Sequence, residues 1–139
     1  MKRFVLDASV ALAWFVDNPV PAYAIRIKEA LRHGSGAVVP ALWHLEMANG
    51  FAVAERRGIL SATDASQSVY AVERLLAHAI DSTTDFVSIR QALATARTFQ
   101  LSAFDAVYLD TARRERLPLA TLDRRLLAAA GQAGVDVLP

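Results

Sequence analysis

The apolar and polar positions of this chain alternate between two periods. Phe4-Val5-Leu6 is a continuous apolar run inside Lys2 to Leu6 and reads as a short buried strand, and Ala8 to Val16 reads as an Ala-rich helix. Asp17-Asn18-Pro19 is a turn signal, and Pro21 suits the first turn of a helix running to His33, which Gly34-Ser35-Gly36 ends. Ala37 to Val39 predicts a second strand, Pro40 to Arg57 a long helix closed by Gly58, and Ser61 to Ala77 a helix with Val69, Val72, Leu75 and Leu76 at helical spacing. Ala79 to Ser82 predicts a third strand. Helices follow over Thr84 to Gln100 and Ala103 to Arg116, separated by Gln100-Leu101-Ser102. Pro118 to Leu122 then predicts a strand, Arg124 to Ala130 a helix, and Val135 to Leu138 a last strand. Short apolar strands alternating with helices imply an α/β layer sandwich whose parallel sheet is covered on both faces. No internal repeat, linker or low-complexity tail interrupts the 139 residues, which are expected to form one domain over 1–139.

Composition narrows the class. Apolar residues make up 54% of the chain, yet no apolar run approaches the ~20 residues that span a bilayer. The amino terminus, MKRFVLDASVALAWFV, has the basic start and apolar stretch of a signal peptide, but Asp7 interrupts the run and no convincing cleavage site follows. A first strand and helix of a cytoplasmic protein is the expectation. With no cysteine, any metal must use oxygen or histidine ligands. A net charge of +1 gives no global basic field for nucleic acid, although 13 of the 15 basic residues are arginine, the better fork for phosphate. RNA is one reading of that bias, and solvated arginines from a GC-rich coding preference are the other.

Four acids stand apart from the solvated background. Asp7, in VLDAS, follows the first strand, and Asp123, in LATLD, follows the strand after Pro118, so both lie at strand ends where open parallel sheets bind ligands. Each also precedes a helix, and helix capping explains either one taken singly. Glu46 is different, because it sits mid-helix in LWHLEMANGF and shares a face with Leu42, Trp43, Asn49 and Gly50. His44 points elsewhere and reads as a satisfied histidine rather than a ligand. Asp105 shares its face with Leu101, Ser102, Tyr108 and Leu109, inside the first turn of a helix that Ser102 can cap. If the four converge at one sheet rim, their repulsion amounts to roughly 4 kcal/mol for a pair about 4 Å apart at an effective dielectric of 20. A hard divalent cation such as Mg²⁺ would relieve it, and would equip the site to activate water on a phosphodiester. Ser9 and Thr121 stand beside these acids as supporting hydroxyls or as turn residues bonding backbone.

VLDASV, the ExxN of Glu46 to Asn49, LSAFDAVYLDTA and the TLD of Thr121 to Asp123 together resemble the PIN-domain family, and within it the VapC-type toxins of bacterial type II toxin–antitoxin systems. No one motif is specific, but four in order across essentially the whole chain are. The resemblance implies a PIN-like three-layer α/β/α sandwich with a short, mainly parallel central sheet, and a Mg²⁺- or Mn²⁺-dependent endoribonuclease. It implies Asp7, Glu46, Asp105 and Asp123 as the catalytic and metal-holding quartet, with Ser9, Asn49 and Thr121 in support. It further implies a homodimer and inhibition by a cognate VapB-like antitoxin. Trp14, Phe15 and Trp43 are candidates for those surfaces as well as for the core. Arg113, Arg114, Arg116, Arg124 and Arg125 follow two of the acid motifs and are candidate RNA-phosphate contacts, and Asp110 reads as a solvated helix residue.

Two rival functions keep the same acids. A haloacid-dehalogenase-like hydrolase would use Asp7 as an aspartyl nucleophile, but Ser9 stands where a second aspartate is usual, and Lys28, in a predicted surface helix, is the only lysine beyond Lys2. A receiver domain fails on the same count. A catalytically silent PIN-like module, its acids binding a partner's arginines, is the other. An amide in place of any acid separates them, since a nuclease loses cleavage and a binding module keeps its partner.

Overall fold

The computed structural model describes residues 2–84 and 86–139. Its strands are β1 (Arg3–Leu6), β2 (Gly36–Val39), β3 (Ile80–Ser82) and β4 (Leu119–Ala120), and its helices are α1 (Ala8–Val16), α2 (Ala22–Arg32), α3 (Leu42–Arg56), α4 (Ala62–His78), α5 (Ile89–Phe99), α6 (Ala103–Glu115) and α7 (Arg124–Ala133). The strands form one all-parallel sheet in the order β3-β2-β1-β4. Phe4, Val5 and Leu6 are all fully buried. Successive side chains of a strand point to opposite faces, so helices must cover both sides of β1, which makes the three-layer α/β/α arrangement expected from the sequence.

The order of strands decides where a ligand can sit. From β1 the chain moves outward through β2 and β3, then crosses back to place β4 on the other flank of β1. The gap between β1 and β4, at their carboxyl ends, is therefore the topological switch point where α/β sheets bind ligands. Val5 and Leu6 pair with Leu119 and Ala120, and the last ladder bond, from Asp7 N–H to the Ala120 carbonyl at 3.0 Å, lies at that gap.

Four boundaries differ from the sequence expectation. The helix expected from Thr84 begins at Ile89, because the Ser88 hydroxyl caps it by accepting the Gln91 N–H at 3.2 Å. Asp85, inside the expected range, lies outside the described residues. The strand expected over Pro118 to Leu122 keeps only Leu119–Ala120, since the Leu122 N–H turns to the Ser9 hydroxyl instead of continuing the ladder. The final helix runs past Gly131 to Ala133, and it is Gly134, at φ 73°, that stops it in the left-handed conformation. Val135 to Leu138 reduces to a single bridge between Val137 and Leu119.

Trp43 and Trp14 are core residues, Trp14 donating its indole N–H to the Ala24 carbonyl at 2.7 Å, while Phe15 is half-buried against Phe51. Lys28 lies beside the Trp14 and Phe15 rings, each 6.0 Å away. Asp110 departs from the solvated residue expected. It is half-buried and accepts a 2.7 Å bond from the Thr95 hydroxyl, tying α5 to α6. His44 has a partner, Ser82 Oγ at 2.8 Å.

Candidate active site

Asp7 occupies the N-cap position of α1 but makes no side-chain cap bond. Its Oδ2 instead accepts from the Ser9 hydroxyl at 2.6 Å and the Thr121 hydroxyl at 2.7 Å. The two hydroxyls lie 3.4 Å apart, and each also accepts a backbone N–H. Ser9 Oγ accepts the Leu122 N–H at 3.0 Å, and Thr121 Oγ1 accepts the Asp123 N–H at 3.0 Å. One carboxylate thus fastens the end of β1 to the turn after β4. Asp7 is only 5% exposed, and burial pushes its carboxyl above the ordinary range; the two hydroxyls pull it back and Asp123 adds repulsion.

Asp123 does cap its helix. Its Oδ1 accepts the Arg125 and Leu126 N–H groups at 2.9 and 3.0 Å. Asp105 lies in the first turn of α6, where the Ser102 hydroxyl accepts its N–H at 3.1 Å. Burial raises the Asp105 carboxyl first, then repulsion from Asp123 and Asp7, against smaller opposing effects of Ser102 and Arg125. Glu46 projects from the middle of α3 and is held by a residue three positions after Asp105: the Tyr108 hydroxyl donates to Glu46 Oε1 at 2.6 Å. Desolvation raises the Glu46 carboxyl, that bond lowers it, and Asp7 and Asp105 raise it again. The phenol of Tyr108, fully buried beside Asp7 and Glu46, is held far above its usual range by desolvation and by both carboxylates, so it remains a donor.

These acids share one open cleft, lined by Asp7, Ser9, Glu46, Asn49, Asp105 and Asp123 with Ala8, Leu12 and Gly50. Thr121, 2% exposed, lies behind it. A Cβ at Gly50 would collide with the Leu12 side chain, so the glycine lets α3 close on α1 one turn beyond Glu46. The five arginines are divided. Arg124 and Arg125 open α7 directly after Asp123, and Arg125 acts electrostatically on Asp105. Arg113, Arg114 and Arg116 stand eight to eleven positions past Asp105, at the opposite end of α6, about 12–16 Å along its axis. Arg113 there lies over the Phe99 ring, 6.0 Å from its centroid. Tyr108 is the residue whose part the sequence did not disclose; its spacing from Asp105 gave its face, but only the packing of α3 against α6 gives its partner.

The lining suits a hard cation in its chemistry, with four carboxylates and one amide and no basic side chain. Among the described residues no three acids converge closely enough to enclose an ion by themselves.

Solved structures share this fold, among them three from different organisms. PAE2754 from Pyrobaculum aerophilum is 23% identical, with a TM-score of 0.69 over 92% of this chain and 79% of that one. FitAcB from Neisseria gonorrhoeae is 21% identical, with a TM-score of 0.63 over 98% and 96%. A domain of a functionally unknown protein from Methanocaldococcus jannaschii DSM 2661 is 15% identical, with a TM-score of 0.59 over 99% and 90%. No curated protein matches the sequence. The PIN domain family matches it over residues 4–132, so the chain belongs to the PIN domain family.

Proposed function

We propose that this chain is a Mg²⁺- or Mn²⁺-dependent endoribonuclease, the VapC-like toxin of a type II toxin–antitoxin pair, acting in the cytoplasm to cut RNA and so arrest translation and growth. PIN domains are generally nucleases. The observation that carries the finer reading is the cleft at the switch point, where Asp7, Glu46, Asp105 and Asp123 arrive from four separate segments with no basic side chain among its lining residues.

When bound, the cation supplies positive charge at the scissile phosphate and acidifies a water for attack. The chain's own groups do the rest. Glu46, Asp105 and Asp123 would hold the ion between them through one or two direct carboxylates and bound water, and Asp7, fixed by Ser9 and Thr121, would hold the fourth side of the cleft and orient the attacking water. Asn49, one turn past Glu46, offers its amide to the substrate, and Arg124 and Arg125 sit close enough to meet RNA phosphates. Arg113, Arg114 and Arg116 would meet only RNA that extends to the far end of α6.

Two apolar surfaces support the partners. Phe86 and Ile89 are 98% and 86% exposed, with Val87 and Leu93 exposed beside them in sequence, a surface that a second copy of the chain would cover. A separate groove places Phe15, Leu31 and Tyr70 beside Lys28, Arg32 and Arg74, which suits an apolar, acidic segment of a VapB-like antitoxin.

The test is cleavage of a mixed RNA pool by the purified, antitoxin-free protein in Mg²⁺ or Mn²⁺ against EDTA, with Asp105→Asn beside it. Metal-dependent cutting that the variant lacks is expected. A folded protein that cuts in neither metal overturns the nuclease and favours the silent interaction module.

A further inference from the structure

We infer that Tyr108 is a positioning residue of the site, holding Glu46 in the orientation from which its second oxygen serves the cleft. This rests on the nuclease reading above. Glu46 lies mid-helix on α3 and, without a partner, would be free to swing among its rotamers. The fully buried Tyr108 donates to Oε1 at 2.6 Å, and among the described residues Oε2 takes no hydrogen bond, which leaves that oxygen for an ion. Tyr108 also stands three positions after Asp105 on α6, so a single side chain fixes the spacing between the helix that carries Glu46 and the helix that carries Asp105. A carboxylate already oriented loses less freedom when it binds, and groups that orient metal ligands in this way usually contribute ten- to hundredfold to affinity or activity.

The test is Mn²⁺ titration by calorimetry of wild type, Tyr108→Phe, Glu46→Ala and the double variant. Phenylalanine keeps the volume and removes one oxygen, and circular dichroism checks the fold. The expected result is about ten- to hundredfold weaker Mn²⁺ binding in Tyr108→Phe, and no further loss when the same change is made in Glu46→Ala. A merely structural tyrosine would cost the same in both backgrounds. A second readout needs no change at Tyr108: its hydroxyl proton is expected as a slowly exchanging, downfield resonance that moves in Glu46→Ala. Wild-type affinity in Tyr108→Phe, equal losses in both backgrounds, or a hydroxyl signal indifferent to Glu46 would overturn the inference alone. Absence of Mn²⁺ binding by wild type overturns it together with the nuclease reading.

Discussion

Thr121→Val removes one oxygen from the most tightly bonded part of the site and changes little else, because valine has the same shape. The variant loses the 2.7 Å donation to Asp7 Oδ2, the 3.0 Å acceptance of the Asp123 N–H and a long 3.4 Å contact with the Ser9 hydroxyl. A hydrogen bond to a charged group contributes about 1.5–3 kcal/mol, and an amide left without its partner costs about 1 more, somewhat less where cleft water reaches it. The expected loss is therefore about 2–4 kcal/mol at neutral pH. At roughly 3 °C per kcal/mol for a chain of this size, Tm falls by about 6–12 °C. The loss depends on pH in a definite direction. Asp7 already has its folded-state carboxyl raised by burial, so stability is lost as pH rises through that folded value. The Thr121 hydroxyl favours the charged form, and removing it raises the carboxyl further. The gap between wild type and variant should therefore widen as pH rises through the raised folded-state value and narrow toward acid, where both carboxyls are neutral. Urea unfolding followed by circular dichroism across that range measures it. A variant within about 0.5 kcal/mol of wild type at neutral pH, or a gap that widens toward acid, refutes the reasoning.

Asp123 caps α7 and, in the proposed nuclease, also serves the cleft, and substitution separates the two. Asp123→Asn keeps a capping oxygen and should leave stability within about 0.5 kcal/mol, whereas Asp123→Ala should lose about 1 kcal/mol, and both should lose RNA cleavage; equal stability of the two would deny the cap. Asp105→Asn should raise the Tm of the metal-free protein at neutral pH in low salt, because burial and the neighbouring acids hold that carboxyl up and its ionised form costs stability as pH rises. The gain should shrink with added salt and vanish toward acid pH, and a lower Tm under every condition would contradict the repulsion.

Particular residues show what the sequence could disclose. The run Phe4-Val5-Leu6 marks a strand buried on both faces, and the Gln100-Leu101-Ser102 break falls where Gln100 turns left-handed and Ser102 caps α6. Local chemistry suffices there. The capping reading of Asp7 and Asp123 needed the third dimension: Asp123 caps its helix, while Asp7 turns its carboxylate to Ser9 and Thr121, the latter 114 positions away. The same hydroxyls explain why β4 is shorter than its apolar pattern. Backbone N–H groups that a longer ladder would use are taken by side chains of the site. Tyr108 and Asp110 were legible as helix positions but not as partners, since the spacing of residues along α6 says nothing of what α3 and α5 bring against it. The arginines separate for a simpler reason: those that follow Asp105 in sequence are carried by α6 away from the cleft.

The most direct test of the four-acid cleft is to measure RNA cleavage by Asp7→Asn, Glu46→Gln, Asp105→Asn and Asp123→Asn side by side in Mn²⁺, each shown to be folded. Every one should cut at least about a hundredfold more slowly than wild type, since each removes a charge from one shared site. A folded amide variant that cuts at the wild-type rate would take its residue out of the site, and two such variants would contradict the account.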